Sequence, residues 1–169
     1  MTYYTHQANE FFANTVNVKM DNIYNRFLPL IPSGGHVLDA GCGSGRDALF
    51  FAKQHFEVTA FDASAELVKK AQAYTNMPIG HRRFEDVSEQ AVYDAIWTCA
   101  SLLHVEDQDW SKVLNALTNA LKPQGVWYMS FKLGTGSRWK DGRFFRDHNE
   151  STLESHLAYR DDLVLVKTW

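Results

Sequence analysis

The chain has only two cysteines, four prolines and no apolar run near the roughly 20 residues that a membrane-spanning helix needs. Two cysteines form neither a disulfide framework nor a zinc site, so we expect no bound metal and a cytoplasmic location. The N-terminus lacks the basic flank and apolar core of a secretory signal. Because the net charge is −3, we expect neither nucleic acid nor a membrane as a partner.

The composition that remains is globular: 45% of the 169 residues are hydrophobic, which is enough to build one core. No linker or internal repeat divides the chain. We therefore expect a single domain over residues 1–169, either a monomer or a homodimer. Within it, residues 1–32 are predicted to form an N-terminal helical cap, and residues 133–169 a substrate-side loop, helix and last strand.

The most informative segment is residues 36–46, HVLDAGCGSGR. A buried strand ends at Asp39, a turn holds three glycines (Gly41, Gly43 and Gly45), and a helix opens at Arg46. Glycine tolerates φ > 0 and has no Cβ, so such a turn brings backbone amides close to a ligand at a helix N-terminus. A second acid, Asp62, ends the next strand. A tight strand–helix turn alone would explain the glycines, but the two acids favour a nucleoside site.

The glycine spacing is GxGxG, whereas a dinucleotide site has GxGxxG. LDAGCGSGR resembles the first motif of class I S-adenosylmethionine-dependent methyltransferases, and AFDAS resembles the acidic end of their second strand. The resemblance implies S-adenosyl-L-methionine as cofactor. It also implies that the three glycines surround its methionine and ribose parts, and that Asp39 orients the amino group. Asp62 would accept the ribose hydroxyls, Ala63 would lie under the adenine, and Asp86 and Val87 would meet its edge; Glu85 is an alternative to Asp86.

Hydrophobic periodicity predicts an α/β fold, a doubly wound and mostly parallel Rossmann-like sheet with helices on both faces. The predicted strands are 36–40, 57–62, 80–84, 93–98 and 126–131. Helices are predicted at 5–16, 20–28, 46–54, after Ser64 and after Asp107. The family resemblance implies a final antiparallel strand pair. Only a helix at 151–158 and one strand at 162–168 are recognisable, so that pair is incomplete.

Several residues near the predicted strand ends carry chemistry. Arg46 is predicted to pair with the cofactor carboxylate or with a nearby acid. Cys42 and Cys99 lie where ligands bind in such folds, although small buried fillers are the simpler interpretation. His104 is predicted to be an acceptor-side base or orienting group, and a hydrogen-bonded structural histidine is the alternative.

Residues 132–149 are locally basic and follow the fifth predicted strand. We predict a loop whose Lys132 and Arg143 contact the substrate. With Arg138 and Arg146, Arg143 would form an anion-binding wall, because guanidinium groups bind oxyanions in a bidentate way. A solvated surface loop is the alternative. From the N-terminal helices, Tyr3, Tyr4 and Tyr24 would close over the site, and core packing is an equal explanation for Tyr24.

The sequence therefore predicts methyl transfer from S-adenosylmethionine to a small-molecule acceptor. GCGSGRD, DAIWTCASLLHV and SFKLGTG resemble the compact group that includes tellurite-resistance methyltransferases, which makes an oxyanion one candidate acceptor. Two alternatives remain open: a nicotinamide-dependent dehydrogenase, which GxGxG and Asp39 disfavour, and a non-catalytic S-adenosylmethionine-binding module.

Overall fold

Five parallel strands form the central sheet of the computed structural model, which describes residues 7–169. The strands are β1 (His36–Ala40), β2 (Glu57–Asp62), β3 (Ile79–His81), β4 (Tyr93–Thr98) and β5 (Leu121–Met129). Their order is β3-β2-β1-β4-β5, and every pairing is parallel. The strand order reverses direction between β1 and β4. Ligands of such folds bind at this reversal, outside the carboxyl ends of the strands. The predicted doubly wound α/β fold is confirmed.

Six α-helices surround the sheet in the described part of the chain. They are α1 (Ala8–Thr15), α2 (Asp21–Phe27), α3 (Arg46–Lys53), α4 (Ala65–Thr75), α5 (Asp107–Ala120) and α6 (Glu150–Leu157). Ser64 caps α4 by accepting the N–H of Leu67 at 3.4 Å, and Asn149 caps α6 by accepting that of Thr152 at 2.8 Å. None of the described helices is long and apolar enough to cross a membrane.

The core has two main parts because successive side chains of a strand point to opposite faces of the sheet. On β1, Val37 packs with Phe51 and Trp97 under α2 and α3. The next residue, Leu38, packs on the other face with Trp110 and the apolar stripe of α5. Helices on both faces therefore bury the sheet and fix the positions of its strand ends.

Two predicted strand boundaries differ from the structure. β3 is Ile79–His81 and not 80–84, because the chain turns into a 3-10 turn over Phe84–Asp86. β5 begins at Leu121 and not at residue 126. Leu121 pairs with Tyr93 and Val126 with Ala95, so residues 122–125 form a bulge inside the strand.

The prediction of a loop over residues 132–149 is wrong. The segment forms a small mixed sheet of β6 (Lys132–Leu133), β7 (Gly136–Lys140) and β8 (Arg143–His148), in the order β6-β8-β7. A two-residue hairpin turn at Asp141 and Gly142, with φ of 51° and 71°, joins β7 to β8. An Asp-Gly pair between two short strands is a strong hairpin signal, and it marks the missed element.

The predicted strand at 162–168 is also wrong, since those residues have no regular structure. Side chains hold the segment in place: Thr168 donates to Glu150, and the Trp169 ring stacks on Tyr128 with centroids 6.1 Å apart. A strand needs a hydrogen-bonding neighbour, and no described residue pairs with the outer edge of β5. The apolar alternation of the sequence was therefore insufficient to make a strand.

Candidate active site

The glycine turn between β1 and α3 has the backbone geometry that the sequence predicts. Gly41, Gly43 and Gly45 have φ of +78°, +55° and +78°, a region that residues with a Cβ rarely adopt. The N–H groups of Gly41 and Cys42 both donate to the carbonyl of Phe61 at 2.9 Å. The end of β2 therefore supports the start of the turn.

Each glycine of this turn faces a different neighbour. A Cβ on Gly41 would lie 2.5 Å from Cβ of Ser101, and one on Gly45 would lie 2.8 Å from Cγ2 of Thr75 on α4. A Cβ on Gly43 would meet the Phe11 ring of α1 at 3.0 Å. Gly41 and Gly45 thus allow close packing within the protein, whereas Gly43 lies under the Phe11 ring of α1.

Asp62, at the end of β2, is tied to the same turn. Its Oδ2 accepts the N–H of Gly43 at 2.9 Å and its Oδ1 accepts the N–H of Ser64 at 2.8 Å. Burial raises its pKa, while these amides oppose the shift. A carboxylate oxygen has two lone pairs, so each oxygen retains acceptor capacity for a ligand hydroxyl.

Asp39 is the orphan of the site. It is 2% exposed, and its Oδ2 has no hydrogen-bond partner among the described residues. Burial, with the nearby charge of Asp47, raises its pKa well above the ordinary value, while Arg46 opposes the shift. The carboxylate has a hydrogen bond with the Ala48 backbone, but Oδ2 stays unpaired. An unpaired buried carboxylate oxygen is costly, so a cationic ligand group beside this turn would complete it.

Asp47, which the sequence analysis missed, organises the start of α3. Its carboxylate accepts hydrogen bonds from Arg46, from Trp97 Nε1 at 2.8 Å and from the Tyr24 hydroxyl. Arg46 therefore pairs with its neighbouring acid, one of the two partners that the sequence suggested. The available signal was an acid one helical position after the arginine, on the face that the apolar residues of α3 bury.

The prediction that Tyr24 contacts the substrate does not fit its position. Tyr24 is 5% exposed, its ring stacks on Phe50 at 3.6 Å, and its hydroxyl is committed to Asp47. Burial and then Asp47 raise its pKa far above the ordinary value. Tyr24 supports the Asp47 carboxylate from α2. Tyr3 and Tyr4 lie outside the described residues.

The two cysteines pack as small side chains against the core. Cys42 is 9% exposed and packs in a core cluster with Ala48 and Ala71. Burial and then Asp47 raise the pKa of Cys99 to about 12, so its thiol is protonated at neutral pH. Cys99 nevertheless lies at the site, since its sulfur is 3.9 Å from Nη2 of Arg46.

The segment after β4 passes directly over the glycine turn. Ala100 has a φ of 50° and donates its N–H to Ser130 Oγ at 2.8 Å. Ser101 Oγ donates to the carbonyl of Ala40 at 2.8 Å. A non-glycine residue in this conformation is strained and is found where surrounding contacts impose it. These contacts fix the path that leads to His104.

His104 ends a 3-10 turn after β4. Its Nδ1 is 2.7 Å from the carbonyl of Phe144, and a carbonyl only accepts, so Nδ1 carries the hydrogen of the neutral ring. Burial lowers its pKa to about 4; the Phe144 hydrogen bond opposes this shift, and the charges of Arg143 and Lys132 add to it. Such an imidazole is neutral at pH 7 and a poor base for an acceptor of high pKa.

The basic residues of the small sheet divide between its two faces. Phe145 packs edge-on against His104 with centroids 4.8 Å apart. Cations surround the Phe145 ring, with Lys132 Nζ at 4.5 Å, Arg143 at 4.9 Å and Arg138 at 5.4 Å from its centroid. Phe145 is the second residue that the sequence analysis missed, because it fell within a supposed loop.

Arg146 does not belong with these cations. Neighbouring residues of a strand point to opposite faces, and Arg146 lies over the Trp110 ring at 4.2 Å, paired with Asp107. Arg138 is itself paired with Asp147. The predicted anion-binding wall is therefore reduced to Lys132 and Arg143, with Arg138 beside them.

The residues predicted to hold the adenine follow two neighbouring strands, Ala63 after β2 and the other two after β3. Ala63 is half-buried, and Val87 is 6% exposed. Asp86 is exposed, and its Oδ2 accepts the N–H of Arg83 at 2.8 Å, which caps its own 3-10 turn. This hydrogen bond is typical of an acid in a turn. Contact between Asp86 and the adenine therefore stays a prediction.

Comparison with known proteins identifies the class that this fold and site define. Residues 37–125, from β1 to the bulge in β5, match the family model described as a methyltransferase domain. The chain belongs to this family, whose class I members use S-adenosylmethionine. The match agrees with the resemblance that the glycine motif carries.

Curated relatives give a more particular likeness. The chain is 35% identical over 120 residues to a ubiquinone biosynthesis O-methyltransferase of Xylella fastidiosa (strain 9a5c), covering 67% of this chain and 47% of the relative. It is 37% identical over 109 residues to the enzyme of the same name from Xanthomonas axonopodis pv. citri, covering 60% and 44%. The chain thus spans about half the length of the curated relatives it matches.

Solved structures agree on the fold. The 1,6-didemethyltoxoflavin-N1-methyltransferase of Burkholderia thailandensis, solved with 1,6-didemethyltoxoflavin and S-adenosylhomocysteine, superimposes with a TM-score of 0.73 at 22% identity, covering 94% of this chain and 72% of that one. The [4+2]-cyclase SpnF superimposes with a TM-score of 0.66 at 21% identity, covering 82% and 55%. At such identities the likeness shows the fold, which evidently carries more than one reaction.

Proposed function

We propose that this protein transfers the methyl group of S-adenosylmethionine to a small anionic acceptor, working as a single cytoplasmic domain that is a monomer or a homodimer. Family membership supports the cofactor and the reaction class. The acceptor class rests on one observation: Lys132 and Arg143 lie against the Phe145 ring, and Phe145 packs against His104. We expect no nucleic acid partner.

The residues around the glycine turn fit the cofactor. Its ammonium group would pair with Asp39, whose buried Oδ2 lacks a partner among the described residues. Its ribose hydroxyls would bind Asp62, and the amide of Gly43 would lie beside them. Ala63, Asp86 and Val87 would border the adenine. Cys42 and Gly45 would support the turn from the core.

When bound, S-adenosylmethionine supplies an already activated methyl group, so the protein mainly has to position the acceptor and exclude water. Lys132 and Arg143 would hold the acceptor's negative charge. His104, neutral at pH 7, would accept a hydrogen bond and orient the reacting atom. Its low pKa suits an acceptor that has already lost its proton.

A panel of acceptors tests the proposal. Purified protein with S-adenosylmethionine should form S-adenosylhomocysteine with carboxylated phenols, thiolates or oxyanions, and more slowly with neutral compounds of the same size. Replacing Arg143→Glu should raise the KM for an anionic acceptor about fivefold or more, since a partly exposed charge contributes ~1 kcal/mol. The affinity for S-adenosylhomocysteine should stay unchanged.

Lys112→Glu is the matched control. Lys112 is an exposed cation on α5 and is not among the candidate site residues, and its replacement by Glu changes the charge by the same amount as Arg143→Glu. The Arg143 effect should shrink with added salt, which screens exposed charges. Equal turnover of neutral and anionic acceptors, with no response to Arg143→Glu, would contradict the anionic class.

The sequence also left open a non-catalytic cofactor-binding module. Tight binding of S-adenosylmethionine without turnover of any acceptor would support that alternative. Binding of NAD in preference to S-adenosylmethionine, measured by calorimetry, would instead support a dehydrogenase.

A further inference from the structure

The Asp47 carboxylate is fully occupied and nearly buried, with its side chain 7% exposed. Oδ1 accepts the Arg46 Nε–H at 2.6 Å and the Tyr24 hydroxyl. Oδ2 accepts an Arg46 Nη2–H at 2.8 Å and the Trp97 Nε1–H at 2.8 Å. A carboxylate has about four lone-pair sites, so four donors saturate it.

These bonds use only one edge of the Arg46 guanidinium. The group has five N–H donors in a fixed planar fork, and Asp47 takes the side formed by Nε and Nη2. The end of the fork, formed by Nη1 and Nη2, faces weak acceptors: the Thr15 carbonyl at 3.4 Å and the Cys99 sulfur at 3.9 Å. One Nη1–H has no acceptor among the described residues.

The open end of the fork lies between the end of α1 and the segment after β4. Thr15 ends α1, and Cys99 follows the carboxyl end of β4. Arg46 is the first residue after the glycine turn, and its charge acts on the orphaned Asp39. A carboxylate entering between Thr15 and Cys99 would bind Nη1 and Nη2 in the bidentate way that planar guanidinium groups favour.

We propose that Asp47 is a positioning residue that fixes Arg46 to receive the α-carboxylate of the cofactor's amino acid group, while Asp39 receives its ammonium. The inference rests on the proposed function. Tyr24 and Trp97 saturate the remaining lone pairs of Asp47, so this acid stays on its own edge of the fork when a second carboxylate arrives. Tyr24 on α2 and Trp97 on β4 therefore hold Asp47, and Asp47 holds Arg46 in its orientation.

Two ligands separate this role from a merely structural one. S-adenosylhomocysteine carries the amino acid group, and 5′-methylthioadenosine keeps the nucleoside and thioether without it. We expect Asp47→Asn to weaken S-adenosylhomocysteine at least tenfold and to change the Kd of 5′-methylthioadenosine by less than twofold, as measured by calorimetry. The readout is the Kd of S-adenosylhomocysteine divided by the Kd of 5′-methylthioadenosine. General damage to the site would weaken both ligands and leave this ratio unchanged.

Asp94→Asn is the matched control. Asp94 is also a hydrogen-bonded acid, accepting from the His36 N–H at 2.8 Å and Lys122 Nζ at 2.9 Å, but it lies at the other end of the sheet. It should leave the ratio unchanged. If Asp47→Asn does not fold, Arg46→Lys keeps the charge and loses the fork. It should raise the ratio of the S-adenosylhomocysteine Kd to the 5′-methylthioadenosine Kd, as Asp47→Asn does.

An unchanged ratio in folded Asp47→Asn or Arg46→Lys, or a parallel loss of both ligands, would overturn the inference. If Arg46 instead bound the acceptor, the ratio would stay constant while the acceptor KM rose. Failure of the wild-type protein to bind either ligand would contradict the proposed function itself, so the two failures are distinguishable.

Discussion

The Oδ2 atom of Asp62 accepts the backbone N–H of Gly43 at 2.9 Å, and this bond joins the end of β2 to the glycine turn after β1. The other oxygen, Oδ1, accepts the N–H of Ser64 at 2.8 Å, directly before α4. One buried carboxylate therefore organises two neighbouring connections. The sequence predicted Asp62 as a ligand of the ribose alone, whereas the structure also makes it part of the scaffold.

Replacing Asp62→Ala should accordingly weaken both folding and binding. Loss of two buried charge-assisted bonds should cost about 2–4 kcal/mol of unfolding free energy. S-adenosylmethionine affinity should fall at least about tenfold, equivalent to ~1.4 kcal/mol. Denaturant unfolding and calorimetry on the same sample measure the two effects. Unchanged stability would show that the carboxylate does not hold the turn, and unchanged affinity would remove it from the cofactor site.

Gly43 and Gly45 should respond differently to alanine. At Gly45 the new Cβ would lie 2.8 Å from Thr75 Cγ2 and 3.1 Å from Ala71 Cβ, between α3 and α4. At Gly43 it would meet only the Phe11 ring of α1, at 3.0 Å for the nearest atom. Both substitutions carry the penalty of positive φ, ~1–2 kcal/mol. Gly45→Ala should lower the melting temperature more, and Gly43→Ala should lower cofactor affinity more. The reverse order would contradict this division.

Cofactor binding should release a proton from Asp39. Burial, Asp47 and Asp62 raise the pKa of its carboxyl and so favour its neutral form in the unliganded protein. A ligand ammonium beside it favours the charged form and expels the proton. The enthalpy of S-adenosylmethionine binding should therefore differ between phosphate and Tris buffers of equal pH. Asp39→Asn should abolish that buffer dependence; a dependence that persists would locate the proton elsewhere.

Stability should rise with pH between about 4 and 6.5 because of His148. Its ring is 6% exposed, its Nδ1 lies 3.2 Å from Thr152 Oγ1, and Nε2 has no partner among the described residues. Burial, together with the charges of His156 and Arg146, lowers its pKa to about 4. The unfolded chain, with a histidine pKa near ~6.5, binds more protons in this window, so acid favours unfolding.

The His148 contribution is at most on the order of 3 kcal/mol, since each pKa unit is worth ~1.4 kcal/mol. Denaturant unfolding at several pH values measures this contribution. His148→Gln should reduce the rise of the unfolding free energy with pH. Part of the rise should remain, because the pKa of His104 is also about 4. An unaltered slope in His148→Gln would refute the assignment.

The apolar tail should promote association. Val164 and Val166 are 84% and 79% exposed, and β5 has no described neighbour on its outer edge. Exposed apolar residues beside an open strand edge favour pairing with another copy. Light scattering should show concentration-dependent association that the double substitution Val164→Lys and Val166→Lys suppresses. A monomer at all concentrations would contradict the prediction.

The central sheet and the glycine turn could be predicted because their signals are local. Alternating apolar residues, three glycines and two strand-end acids lie within short segments. Asp47 could not be singled out, since its donors Tyr24 and Trp97 come from residues 23 and 50 positions away. The small sheet was missed although Asp141-Gly142 marks a hairpin, because the count of charges in that segment favoured a loop. The tail has the pattern of a strand and lacks the partner that a strand requires.

The position of Phe11 over Gly43 has a kinetic consequence. Helix α1 covers the turn, and its contacts include an edge contact of Phe12 with Tyr74 at 5.8 Å and the weak bond of Arg46 to Thr15. A cofactor bound between this turn and α1 would leave only after α1 had moved. In each turnover the departure of S-adenosylhomocysteine and the opening of α1 would then be one event, so the rate of that helix movement would set an upper limit on kcat whatever the acceptor.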